Sequence, residues 1–228
     1  MNTDFFRVAW LVMRKDLTVE SRSWEMVSTT LFFAVSCVLV FSFAFVRAGQ
    51  PIEGAAAGIL WIAVAFSGTL ALGPTFDRER HHDALRGLLL APVERSAIFL
   101  GKFLGVVLLM TAVELVVAVL VALLFQAPLA AHVWWIAALL MLGNIGFAAV
   151  GTLFAAMLVR TRSRSVLLPI LLYPITLPAL IAGVMGTAAL LQAEPNLDLA
   201  RLWAAMLLCF DAVFTTLALW TFEPVMTE

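Results

Sequence analysis

The chain has 228 residues, of which 63 % are hydrophobic and 13 % are charged, and its mean hydropathy is +1.04. A soluble domain is roughly half apolar and about a quarter charged, so this composition excludes a soluble globular protein and indicates a polytopic membrane protein. The formal net charge of −1 excludes little, because the placement of charges in a membrane protein matters more than their sum.

The N-terminal residues 2–22 predict an amphipathic helix. Arg7 and Arg14 are seven residues apart and share one face. The apolar residues Phe6, Trp10, Met13 and Leu17 lie on the other side at helical spacing. Such a helix lies in the headgroup layer with its aromatic side chains inward. The alternative is that residues 2–22 form only the first turns of a longer helix that leads into the membrane.

Six further stretches are long enough and apolar enough to cross the hydrocarbon core, which takes roughly 20 helical residues. They cover about 26–46, 55–75, 98–125, 133–159, 166–191 and 202–222. The predicted fold class is therefore all-α integral membrane, with six transmembrane helices in a single domain that spans 1–228.

Lysine and arginine are distributed unevenly between the connections. The N-terminal segment has four, the second connection five and the fourth three, whereas the other three connections have one, none and one. Twelve against two is a clear positive-inside asymmetry. It predicts that the N-terminus and the second connection are cytoplasmic, and an even number of spans returns the C-terminus to the same side.

The fifth span contains three prolines, Pro169, Pro174 and Pro178, followed by Gly183. Proline removes a backbone donor and kinks a helix. The span is therefore predicted not to be one straight rod, and these four residues are candidates for a helix break and for gating. One hypothesis is that the end of this span, up to residue 192, is a short helix that dips into the outer leaflet without crossing.

Three polar residues lie near the middle of predicted spans: Glu114, Asn144 and Asp211. A carboxylate at a helix centre costs roughly 2.5–3.5 kcal/mol on insertion scales. Each should therefore face protein or a wet cavity, or be protonated. A substrate or proton site and a buried hydrogen bond between helices are both compatible with this pattern.

Enzyme motifs are mostly absent, and the sequence predicts neither catalytic residues nor a metal site. Gly101-Lys102 is a fragment of a phosphate-binding loop, but Phe103 follows where that loop needs serine or threonine. The adjacent His81 and His82 diverge by about 100° on a helix, which disfavours a shared metal.

The longest polar interruption in the chain covers residues 76–102. It holds five of the fourteen lysine and arginine residues and four of the fifteen aspartate and glutamate residues. Residues 76–90 can form a helix that Pro92 ends. Its mixed charge favours docking to a soluble protein over binding to nucleic acid or lipid. A merely solvated loop is the alternative.

This stretch resembles the cytoplasmic coupling region of six-span ATP-binding-cassette (ABC) permeases. The residues that carry the likeness are Glu79-Arg80, Leu85, Leu88-Leu89-Leu90 and Ala91-Pro92. With three further passages the whole chain is similar to the CcmB family, permeases of cytochrome c maturation. Those passages are Lys15-Asp16-Leu17, Gly58-Ile59-Leu60-Trp61-Ile62-Ala63, and Leu167-Leu168-Pro169-Ile170-Leu171-Leu172-Tyr173-Pro174 with Pro178.

The resemblance implies a non-enzymatic permease subunit of the six-span exporter kind, in the bacterial inner membrane. It implies that a coupling helix over about 76–92 docks to a separate ABC ATPase subunit, which binds the ATP. The implied docking residues are Asp77, Glu79, Arg80, Asp83, Arg86, Leu88, Leu89 and Pro92. Ala84 and Arg86 depart from the family's usual Gly and Glu, which puts the details of docking in doubt.

The resemblance also implies the partners and the cargo. The partners are a second copy of the chain, a haem-handling membrane subunit, a small accessory subunit and a periplasmic haem chaperone. Haem is the implied cargo, and no covalently bound cofactor is expected. A permease for a lipid-linked saccharide or a drug, and a non-transporting membrane scaffold, are the alternatives.

Overall fold

The computed structural model describes residues 2–47, 50–51, 54–76, 94–159, 161 and 163–227. Seven α-helices make up most of this part of the chain. They are α1 (Asn2–Ser23), α2 (Glu25–Phe45), α3 (Ala55–Leu72), α4 (Arg95–Leu124), α5 (Val133–Met157), α6 (Arg164–Leu191) and α7 (Leu197–Thr227). A 3-10 turn, Leu129–His132, precedes α5, and the two-residue strands β1 (Val46–Arg47) and β2 (Gln50–Pro51) pair antiparallel between α2 and α3.

Helices α2 to α7 are each long enough and apolar enough to cross a membrane. The prediction of a six-span, all-α membrane protein is therefore confirmed. The boundaries differ mainly at the polar ends. Helix α3 ends at Leu72 and not at Thr75, α4 begins at Arg95, and α7 extends to Thr227. The added ends of α4 and α7 carry polar or charged residues, which an apolar window leaves out although they continue the helical backbone. Helix α3 is shorter than predicted, because Gly73 follows its last residue and Pro74 comes next.

Helix α1 is separate from the first span. Trp24 between them adopts a left-handed backbone with φ 54°, which ends α1 and redirects the chain. Oε1 of Glu20 then accepts a hydrogen bond of 2.8 Å from the backbone N–H of Val27, so α1 supplies a cap for the first turn of α2. The alternative of one continuous helix leading into the membrane is wrong. On α1, Met13 is buried, whereas Phe6 and Trp10 are exposed.

Helices α3 and α5 form the centre of the bundle. Helix α5 packs against α3, α4, α6 and α7, and α3 packs against α2, α4, α5 and α6. Helices α2 and α7 lie at the periphery, where large apolar side chains such as Phe43 and Trp220 are exposed. This distribution suits a bundle whose outer face meets lipid, since apolar surface there needs no protein cover.

Trp61 of α3 is the largest fully buried side chain and lies between two glycines. A Cβ added to Gly143 of α5 would come within 2.3 Å of the Trp61 ring, and one added to Gly183 of α6 would also come within 2.3 Å. The indole Nε1 donates a hydrogen bond of 2.9 Å to Oγ1 of Thr187. The two glycines thus form a slot that lets one tryptophan join three helices.

The predicted helix break in the fifth span is wrong, because α6 is one continuous helix from Arg164 to Leu191 that includes Pro169, Pro174 and Pro178. Membrane helices tolerate proline because neighbouring helices and local adjustments satisfy the freed carbonyls. Gly183 does not break the helix either. It provides room for the Trp61 ring.

The slot around Trp61 predicts a difference between two glycine-to-alanine substitutions. Gly143→Ala forces a methyl group against the Trp61 ring, and overpacking of this kind typically costs about 1–3 kcal/mol. Gly58→Ala is the matched control, because an added Cβ there meets nothing within 4 Å. We expect thermal unfolding in detergent to occur at a lower temperature for Gly143→Ala and at an unchanged or higher one for Gly58→Ala. Equal shifts for the two variants would contradict the slot.

Candidate functional site: the base of the coupling segment

The predicted coupling helix over about 76–92 lies almost wholly outside the described residues. This holds for all eight predicted docking residues, Asp77, Glu79, Arg80, Asp83, Arg86, Leu88, Leu89 and Pro92. The described residues on either side of it are Phe76 and Glu94. The structure therefore describes the base of the segment, where the chain leaves α3 and enters α4.

Two basic side chains hold the C-terminal end of α3. The last carbonyls of a helix have no intrahelical donor. Nη2 of Arg164, from α6, donates to the carbonyls of Leu72 and Gly73, at 3.3 Å to the first. Nζ of Lys102, from α4, donates to the carbonyl of Thr75 at 2.8 Å. Cations at this position also complement the negative end of the helix dipole.

Lys102 is buried, with 3 % of its surface exposed. A buried ammonium needs a charged partner and hydrogen bonds. Its Nζ lies 2.9 Å from Oδ2 of Asp16 on α1, and it lies 5.3 Å from the centre of the Phe76 ring. Lys102 thus joins α1, the end of α3 and the first residue of the coupling segment. We call this arrangement the basic clamp. It consists of Lys102 and Arg164, the carbonyls of Leu72, Gly73 and Thr75 to which they donate, and Asp16, which pairs with Lys102.

The pair Gly101-Lys102 has a structural explanation at this clamp. A Cβ added to Gly101 would lie 2.6 Å from the carbonyl oxygen of Ala9 and 2.7 Å from Cβ of Val12. Gly101 therefore lets α1 approach α4 closely, and this approach brings Asp16 to Lys102. The two residues fasten the N-terminal helix to the bundle, which agrees with the conclusion that they are not a phosphate-binding loop.

The polar residues inside the spans lie on two sides of α5. Nδ2 of Asn144 donates to Oε2 of Glu114 at 2.6 Å and to Oγ1 of Thr111 at 3.3 Å, which joins α5 to α4. Asp211 of α7 is also buried and packs on Gly146, where an added Cβ would lie 2.5 Å from its Oδ1. Residues 144 and 146 diverge by about 200° on a helix. The structure thus brings Glu114 and Asn144 together and leaves Asp211 on the opposite face of α5.

Reasoning from the sequence missed the clamp. It considered Lys102 as a basic residue of a connection and as part of the rejected phosphate-loop motif Gly101-Lys102, and it considered Arg164 only in the count of basic residues. A signal was present for Lys102. It lies inside the predicted span 98–125, and an ionisable residue within a span calls for a partner. Asp16 belongs to the passage Lys15-Asp16-Leu17 that carries the family resemblance, but that passage gave no indication of its partner. No comparable signal marked Arg164, which lies at an ordinary interfacial position of the sequence.

The clamp predicts a pattern of stabilities. Asp16→Ala removes the carboxylate that lies 2.9 Å from the buried Lys102 ammonium, and removing one partner of a buried pair typically costs about 3 kcal/mol or more. Adding Lys102→Met to Asp16→Ala removes the buried charge as well and should restore part of the loss. The matched control is Asp198→Ala, which breaks an exposed pair with Arg201 and should cost about 0.5 kcal/mol. Thermal unfolding in detergent measures all three, and an equal effect of Asp16→Ala and Asp198→Ala would contradict the clamp.

Comparisons with known proteins give one family. A sequence model described as CcmB protein matches residues 7–226. A Rhodobacter capsulatus protein named Heme exporter protein B is 30 % identical over 173 residues, which are 75 % of this chain and 78 % of the relative. The protein of the same name from Pseudomonas aeruginosa is 25 % identical over 209 residues, 92 % of each chain. The one from Paracoccus denitrificans is 31 % identical over 152 residues, 67 % of this chain and 69 % of the relative. The chain belongs to the CcmB protein family.

Proposed function

We propose that the chain is the membrane permease subunit of an ABC transporter that serves the maturation of c-type cytochromes. The family match and the name Heme exporter protein B carried by three relatives support haem as the cargo. The observation that carries the mechanism is the basic clamp at the base of the coupling segment. An ATPase subunit docks to residues 76–92, and ATP is bound and hydrolysed there and not on this chain.

The clamp suits the transmission of movement from the coupling segment to the spans. The segment begins at Phe76, directly after the carbonyls that Lys102 and Arg164 hold. Displacement of this point therefore moves α3, α4 and α6 together. The ion pair with Asp16 extends the connection to α1. Helix ends that are joined in this way move together as a rigid body.

The prolines of α6 lie between the clamp and the Trp61 slot. Each of Pro169, Pro174 and Pro178 removes one backbone hydrogen bond from the helix. The stretch between Arg164 and Gly183 is therefore the part of α6 that bends most easily. We propose that movement from the clamp is absorbed there, which gives the prolines a gating role within an unbroken helix.

The complete transporter contains two copies of this chain, each with one ATPase subunit. It works with a haem-handling membrane subunit, a small accessory subunit and a periplasmic haem chaperone. Movement of the spans then releases haem to the chaperone. The location is the bacterial inner membrane with both termini in the cytoplasm, and the support for this orientation is the charge asymmetry of the connections.

The docking proposal is tested with Arg80→Ala in the complex of this chain and its ATPase subunit. Loss of a central contact at an interface costs about 2 kcal/mol or more, which is more than a tenfold loss of affinity. We expect co-purification of the ATPase and its stimulated ATP hydrolysis to fall, with thermal unfolding of this chain unchanged. Arg201→Ala, in the first turns of α7 and outside the predicted docking residues, is the matched control.

Three outcomes count against the proposal. Failure of any ABC ATPase subunit to co-purify with the unsubstituted chain would favour a scaffold. Unchanged ATP hydrolysis by Arg80→Ala would place the ATPase elsewhere. Normal ATP hydrolysis stimulated by a saccharide lipid or a drug, without haem loading of the chaperone, would favour another cargo.

The clamp itself predicts a different defect from that of the docking surface. Lys102→Met leaves the sequence of residues 76–92 unchanged but removes the link between Phe76, α1 and α4. We expect the ATPase subunit to bind and hydrolyse ATP, while ATP-dependent haem loading of the chaperone falls at least severalfold. Loading at the unsubstituted rate, with the variant folded, would show that the clamp does not transmit movement.

A further inference from the structure

A groove between α4 and α5 lies outside the regions that the proposed function uses. It has a volume of about 350 Å³ and opens on the outer face of the bundle. Its walls are almost entirely apolar and include Leu115, Val119, Val133, Ile136 and Met141. Leu115 and Val119 are 66 % and 59 % exposed, so no other described helix of the chain covers the groove.

A buried polar cluster lines the inner end of this groove. Glu114, Asn144 and Thr111 all line it, and Glu114 and Asn144 are 3 % and 0 % exposed. Oε2 of Glu114 accepts from the Asn144 amide. Oε1 of Glu114 and Oδ1 of Asn144 have no hydrogen-bond partner among the described residues. Oδ1 of Asn144 is an acceptor, and Oε1 of Glu114 accepts when the carboxyl is ionised and donates when it carries the proton. The complementary group is therefore one that donates to Asn144 and matches either state of Glu114, as an amide or a hydroxyl does.

The depth of this cluster limits what the occupant is. Glu114 lies about ten residues before the end of α4, and Asn144 about as many after the start of α5, which is about 15 Å along either helix. That is half of a hydrocarbon core about 30 Å thick. The groove thus runs from the middle of the membrane toward the connection between the two helices.

We infer that the groove binds a transmembrane helix of another protein, one that carries an amide or hydroxyl side chain near its middle. A lipid does not match, because its polar headgroup stays at the surface and its acyl chain brings only a methyl end to the cluster. A transmembrane helix matches both the apolar walls of the groove and the polar cluster at the middle of the membrane. Its apolar side chains fill the groove, and one side chain donates to Glu114 or Asn144, as polar residues do between helices in membranes.

The test uses the purified chain in phosphatidylcholine vesicles with two synthetic helices. One is a leucine helix of about 20 residues with a single central glutamine, and the other has leucine throughout. Energy transfer between a labelled chain and a labelled peptide, at densities below peptide self-association, measures binding. We expect the glutamine helix to bind about three- to tenfold more tightly, as befits one hydrogen bond between membrane helices.

Three variants test where the peptide binds. The double variant Glu114→Leu with Asn144→Leu should remove the preference for glutamine. Leu115→Trp keeps the polar pair and fills the groove from its exposed side, so it should weaken binding of both peptides even if the double variant fails to fold. Thr216→Leu removes an exposed hydroxyl from α7 and should leave binding unchanged.

Equal affinity for the two peptides, or a glutamine preference that survives in the double variant, would overturn the inference. So would peptide binding that Leu115→Trp leaves unchanged. If the peptides fail to bind and the double variant instead lowers association of the chain with itself, the groove belongs to a second copy and the proposed occupant is wrong. None of these measurements involves ATP or haem, so they are independent of the proposed transport function.

Discussion

The end of the bundle where α3 leads into the coupling segment depends on the interactions of the buried Lys102 ammonium with Asp16 and the Thr75 carbonyl. Removing an ammonium from water is costly, so it persists only where opposite charge and hydrogen-bond acceptors surround it. Asp16 on α1 and the Thr75 carbonyl after α3 supply them, and Gly101 allows α1 to come close enough. Because the charge is unfavourable without every partner, α1, α3 and α4 are fixed relative to one another at this point.

Arg164 completes this arrangement from the other side of α3. Its guanidinium has several donors in a planar fork, and it takes two successive carbonyls of the α3 end. The end of α3 is therefore held from α4 and α6 at once. Free carbonyls at a helix end would otherwise be satisfied by water, and water would leave the end of α3 unattached to its neighbours. Hydrogen bonds from Lys102 and Arg164 take the place of water at these carbonyls and connect the end of α3 to α4 and α6.

Hydropathy was enough to predict six spans, because the need to satisfy every backbone group in lipid leaves helices as the only choice for such apolar runs. Prediction from the sequence failed where one residue type has two possible structural roles. Gly183 predicted a break because glycine weakens helices, but its missing Cβ makes room for Trp61. The prolines failed as breakers for a related reason, since their cost in the helix is offset by packing that the sequence does not display. Glu114 and Asn144 were each identified, but their pairing depends on the register of α4 against α5.

Helices α3 and α5 contact ionisable side chains at different depths. The contacts of α3 lie at the base of the coupling segment, and those of α5 lie in the middle of the spans. At the base of the coupling segment, charged groups connect α3 to its neighbours through short backbone contacts. In the middle of the spans, α5 has the Glu114 pair on one face and Asp211 against Gly146 on the other. At the level of these mid-span contacts, Trp61 packs on Gly143, which precedes Asn144, and connects α3 to α5 and α6 mainly by packing, with a hydrogen bond to Thr187. In the proposed mechanism, a displacement that enters at the clamp therefore reaches α5 at two places. One is at the clamp itself, where the Leu72 side chain packs on Gly151 of α5, and the other is at the Trp61 slot.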